Sequence, residues 1–129
     1  MARYRLPGIA MCAASLVAVA CLALVPADVQ AASAEEEIRY VIGSIGRNGC
    51  DLVRNDRRYS RREARGHIRS KWRLNEQLVA SAEDFIEKIA SRGATSGQPY
   101  LIRCRGQQES TAQDWFSQLL ADYRAGTGS

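Results

Sequence analysis

The sequence predicts an α+β fold: about four helices packed on a small antiparallel β-sheet, a hairpin plus one late strand, pinned by one disulfide. Three observations carry this reading. Apolar residues recur at helical spacing behind good capping residues, two short β-rich runs are bounded by turn residues, and two cysteines remain beyond an N-terminal leader.

The elements follow in order. Residues 34–47 read as a helix, because Ser33 and Glu36 have capping-box spacing and Ile38, Val41, Ile42 and Ile45 form one stripe that Gly46 and Gly49 end. Residues 50–59 read as a short hairpin turning at Asn55-Asp56, two residues that tolerate positive φ. Ser60 and Glu63 open a second capping box and a helix to about Arg73, with Ala64, Ile68 and Trp72 inward. A break is expected near Leu74-Asn75. Ser81 caps a third helix that buries Phe85, Ile86, Ile89 and Ala90 and closes at Arg92-Gly93. After a turn at 95–99, Tyr100 to Cys104 reads as a strand, and 106–109 as a loop. Ser110 or Thr111 then caps a last helix carrying Trp115, Phe116, Leu119, Leu120 and Tyr123, followed by a frayed tail from about 125.

The 129 residues suit one domain, and modest Pro and Gly exclude collagen-like and disordered classes. Residues 1–31 read as a secretory signal peptide. Arg3 and Arg5 precede a run from Ile9 to Val25 broken only by Ser15, and Pro26 and small residues follow. Cleavage is expected after Ala31 or Ala34, the former leaving Ser33 to cap the first helix. An uncleaved anchor and a lipoprotein at Cys21 are the lesser readings. Residues 32–129 then form a single small domain in the periplasm, with no stable membrane span. Cys12 and Cys21 leave with the leader, and export puts Cys50 and Cys104 where disulfides persist. No nearby histidine or C-x-x-C marks either as reactive.

Charge is polarised along the chain. From Arg47 to Arg73 ten basic residues stand against three acidic ones, a local +7, while the rest of the mature chain sums to −4. The candidate partner-binding residues are Arg61, Arg62, Arg65, His67, Arg69 and Lys71. Arginine suits carboxylate and phosphate, so the partners weighed are an acidic envelope protein surface or anionic lipid headgroups, against a plain solvated face whose stems cover apolar residues. Nucleic acid is not expected. His67 has Glu63 four residues before it, and a small hydrolase using His67 with Glu63 or a tyrosine is the lesser reading beside a packed histidine. One histidine with bridged cysteines gives no metal set, no cofactor pattern occurs, and no catalytic residues are assigned. Tyr59, Tyr100 and Ser96-Gly97-x-Pro99 could rim a groove, although turn and strand roles account for them as well.

The ordered words Cys50-x-x-x-Arg54-Asn55, Tyr59, Glu63-Ala64-x-x-His67-Ile68-x-x-Lys71, Ser81-Ala82-Glu83-Asp84-Phe85-Ile86-x-x-Ile89-Ala90-Ser91, Ser96-Gly97-x-Pro99-Tyr100-x-Ile102-x-Cys104 and Trp115-x-x-x-Leu119 resemble the YfeK-like family of small exported bacterial proteins, a domain of unknown function. The resemblance runs from about Glu37 to Arg124, with Asp56 where that family's turn would carry glycine. It implies export and paired cysteines, and no activity. The function expected is therefore an exported, non-enzymatic binding module; an envelope inhibitor or immunity-type protein is its more specific form.

Overall fold

The computed structural model of the chain describes Gly8 and residues 32–126. The leader with its cleavage position after Ala31, Cys12 and Cys21, and the last residues of the tail, 127–129, lie outside the described residues. The element order is α1 (Ala34–Ser44), β1 (Cys50–Arg54), β2 (Arg57–Arg58), α2 (Arg61–Leu74), α3 (Ala82–Phe85), a π-helical turn (Ile86–Ala90), β3 (Leu101–Cys104), β4 (Ser110–Thr111) and α4 (Ala112–Arg124). Four helices and a four-stranded antiparallel sheet of order β2-β1-β3-β4 make the α+β fold.

Cys50 lies opposite Cys104 in the β1–β3 register, and the two are bridged. The pairing continues through Leu52 and Ile102 to Val53 and Leu101. Alternation along the strands sends Cys50 and Leu52, with Ile102 and Cys104, to the face the helices cover. The hairpin turns at Asn55 (φ 51°) and Asp56 (φ 59°), the left-handed pair that a two-residue turn needs to match strand twist.

The caps form as their spacing predicts. Ser33 and Ser60 each complete a capping box, with Glu36 and Glu63, and Ser81 accepts from the Asp84 N–H. Ile38, Val41 and Ile42 from α1 with Ile45 just past its end, Ala64 and Ile68 from α2, Phe85, Ile86 and Ile89, and Phe116 and Leu120 from α4 meet in one core. Trp72 is half-buried at its edge, its ring 5.7 Å from Phe85 in an edge-on contact.

Three expectations need correction. The first helix ends at Ser44 rather than 47, because Gly46 turns left-handed (φ 77°) directly against α2. A Cβ there would come within 2.8 Å of the Arg61 Cβ, so glycine is required twice over. The third helix is α-helical for one turn only, then widens into the π turn, where the Ser91 hydroxyl donates to the Ile86 carbonyl five residues back. The sheet has a fourth strand: Ser110 and Thr111 pair with Ile102 and Leu101, while Thr111 also caps α4 by accepting from the Asp114 N–H.

At the far end of the core, Arg124 of α4 forks onto the buried Glu37 carboxylate at 2.6 and 3.0 Å and also reaches Glu83. It thus ties the acidic first turns of α1 and α3 to the end of α4.

The bridge spans 54 residues of sequence, so the chain-entropy relation assigns it about 4 kcal/mol. Urea unfolding of the Cys50→Ser/Cys104→Ser double variant should show a loss of about 3–4 kcal/mol. A loss below about 1 kcal/mol would mean that the strand pairing holds without the cystine.

Candidate functional site

The six candidate residues of α2 do not share one surface, because the helix turns its two flanks to different neighbours. On the first flank Arg61 donates from Nη2 to the Gly46 carbonyl at 2.8 Å, and Arg65 from Nε to the Ile45 carbonyl at 3.1 Å. Arg65 also donates from Nη2 to the Gly43 carbonyl. The last turn of α1 holds no basic residue, so its carbonyls draw these donors from α2. Desolvation first, then the neighbouring Arg61, Arg47 and Arg69 guanidiniums, hold the Arg65 pKa below the ordinary arginine value.

Further along this flank, Arg69 and Trp72 line a groove of about 680 Å³ between α1 and α2. Ile38, Ile42, Trp72 and Val79 give it apolar walls, and charged groups stand around it. Arg39 is paired with Glu35 at 2.5 Å, whereas Arg69 and Arg73 make no ion pair among the described residues. Two exposed leucines follow in the chain, Leu74 at 78% and Leu78 at 49%. Arg62 is exposed and also without an ion pair.

The second flank carries His67 and Lys71 toward β3. His67 Nε2 lies 3.2 Å from the Tyr100 hydroxyl. Lys71 is buried, its Nζ donating to the Ile89 carbonyl at 2.9 Å and to that of Arg92, with the Tyr100 ring centroid 5.3 Å away. It therefore closes the end of the π turn much as Arg65 closes α1. Arg54 of β1 reaches the same corner, and its buried Nε has no hydrogen-bond partner. Burial first, then the Arg54 and Lys71 charges, push the His67 pKa down. Burial raises that of Tyr100, with Arg54 opposing. Glu63 is turned away: it accepts from the Ser60 N–H at 3.0 Å and faces Arg57 at 3.4 Å, leaving His67 without a carboxylate behind it.

Gly97 and Pro99 rim a separate cavity of about 370 Å³ beside Ser91 and Thr111, which Tyr59 and Tyr100 do not line. Of the residues expected to rim a groove, Tyr59 packs against the core and Tyr100 is buried in it, and Arg54 is a site residue that the charge pattern alone does not mark. The signal for Arg54 was strand alternation: Cys50, Leu52 and Arg54 share a face, which puts an arginine where the core closes. Among the described residues no group of three or more His, Cys, Asp and Glu could hold a metal ion, and no helix is long and apolar enough to cross a membrane.

Two stability measurements separate these roles. Arg65→Ala should cost about 1 kcal/mol in denaturant unfolding by stripping the end of α1, while Arg62→Ala should stay within about 0.5 kcal/mol of the parent. Equal losses would contradict the capping role. The folded His67 pKa lies below the ordinary 6.5, so the unfolded chain takes the proton more readily and stability falls as pH drops through 6.5. His67→Gln should flatten the stability–pH curve in that window; an unchanged slope would place the titration elsewhere.

No curated protein and no solved structure matches the chain. A family does, over residues 32–124, which contain α1 to α4, the whole sheet and both flanks of α2. The chain belongs to that family, described as "Family of unknown function (DUF5329)".

Proposed function

We propose that the protein is an exported, disulfide-stabilised binding module of the periplasm, without catalytic activity, that holds an acidic amphipathic segment of an envelope protein in the α1–α2 groove. One observation carries the reading. The groove sets apolar walls, Ile38, Ile42, Trp72 and Val79, beside Arg69 and Arg73, two guanidiniums that no carboxylate of the described chain has taken. An amphipathic helix with an acidic face offers both halves of that match. Arginine forks onto carboxylates more selectively than lysine would.

Export is supported by the basic, apolar and small-residue succession of the leader, by the resemblance to YfeK-like exported proteins, and by a cystine that persists in an oxidising compartment. The completed Ser33 capping box favours cleavage after Ala31, since a cut after Ala34 would remove it. The non-enzymatic reading is supported by the separation of His67 from Glu63 and by the Tyr100 hydroxyl beside it, whose pKa burial raises, so that neither partner makes His67 a stronger base. An envelope inhibitor or immunity-type protein is a narrower form of the same proposal. Anionic lipid headgroups are the second reading, favoured by the exposed Leu74 and Leu78 beside the arginines.

A photo-crosslinking side chain placed at Arg69 or Val79 in intact cells should give one dominant protein adduct, and the same group at Gln118 on α4 should give none. Arg73→Glu should abolish the adduct while urea unfolding stays within about 0.5 kcal/mol of the parent. Equal adducts from both faces would refute the groove, and crosslinking to lipid alone would favour the headgroup reading. Intact-mass analysis of the purified periplasmic protein should give a chain beginning at Ala32.

A further inference from the structure

The second flank of α2 holds an arrangement that the groove reading leaves unused. Val53 pairs with Leu101, so one step further Arg54 and Tyr100 reach the same end of the β1–β3 pair, on the face that α2 covers. There Tyr100 contacts His67 and Lys71, and the Arg54 charge acts on both. Burying a guanidinium N–H without an acceptor is costly, and the Arg54 Nε is in that position. Lys71 cannot relieve it, being a cation whose donors already go to two carbonyls. Tyr100 is bound to His67. Among the described residues, the cations that bear on His67, Lys71 and Tyr100 are Arg54, Lys71 and Arg92. His67 is exposed, so the corner opens to solvent on its side.

We propose that Arg54, His67 and the Tyr100 hydroxyl form a subsite for a single tetrahedral oxyanion of the phosphate type, with buried Lys71 supplying fixed positive charge behind it. The three groups come from β1, α2 and β3, and a tetrahedral anion presents oxygens in several directions, where a carboxylate is satisfied by one planar fork. The site lies across α2 from the groove and stands or falls independently of it. Free phosphate and a lipid phosphomonoester share the chemistry that this corner recognises.

His67 is the single histidine of the chain, so its imidazole resonance reports on the site without overlap. Titrating the oxidised protein with inorganic phosphate should move that resonance saturably and raise the pH midpoint of His67, because a bound anion offsets the Arg54 and Lys71 charges. Sodium chloride at equal ionic strength should not. Arg54→Gln should weaken phosphate binding by about tenfold or more. Tyr100→Phe, which keeps the ring in the core, should weaken it severalfold and serves if Arg54→Gln fails to fold. Vesicles carrying phosphatidic acid in phosphatidylcholine, in place of phosphate, identify a lipid source if they move the resonance and a soluble one if only phosphate does. An equal response to chloride, or full phosphate affinity in the variants, overturns the proposal.

Discussion

The structure depends on one long-range contact, the pairing of β1 with β3 that the Cys50–Cys104 bridge fixes. Everything between those cysteines, the hairpin, α2, α3 and the π turn, is a 54-residue excursion closed by that contact. Closing so long a loop is entropically costly, and the strands that do it are only five and four residues long. The expected mature chain is lean in apolar residues, so few of them are available to offset that cost. The cystine lowers the entropy of the unfolded chain at the place where the fold is hardest to assemble.

With the strands fixed, α2 lies over their inner face, and half of its six cations are spent on structure. Arg61 and Arg65 terminate α1, and Lys71 terminates the π turn. Each sits where a helix end leaves carbonyls without N–H partners and where its dipole favours positive charge. The +7 stretch is therefore not a uniform face. What remains is the exposed Arg62, Arg69 and Arg73 beside an apolar groove on one flank, and on the other an arginine whose buried Nε has no acceptor.

Much of this was legible from local chemistry. Ser33, Ser60 and Ser81 marked the helix starts because capping uses residues three apart, and Asn55-Asp56 marked the hairpin because both tolerate left-handed backbone. The apolar stripes of α1, α2 and α4 follow from helical periodicity alone. What escaped was set by distant partners. Ser110 and Thr111 read only as alternative caps of α4, since a two-residue strand has no pattern of its own and exists only because β3 offers an open edge. The π turn depends on Lys71, eighteen residues from Ile89, and on the Ser91 hydroxyl. Arg54 carries no mark in the sequence beyond strand alternation and its place in a basic stretch, and only the β1–β3 register brings it to the same strand end as Tyr100.

The two flanks of α2 illustrate how one helix can serve unlike purposes without conflict. Arg65 and Arg69 stand on the α1 side; His67 and Lys71, two residues on from each, stand on the β3 side, because two residues rotate by about 200° around a helix. A substitution on one flank leaves the other's contacts in place, so the proposed protein groove and the proposed oxyanion corner are separable by mutation. The constraint they share is Ile68 between them, fully buried against the core. Any change that shifts Ile68 moves both flanks together, whereas changes to Arg69 and Arg73, which hold no carbonyl and no ion pair among the described residues, leave the frame in place.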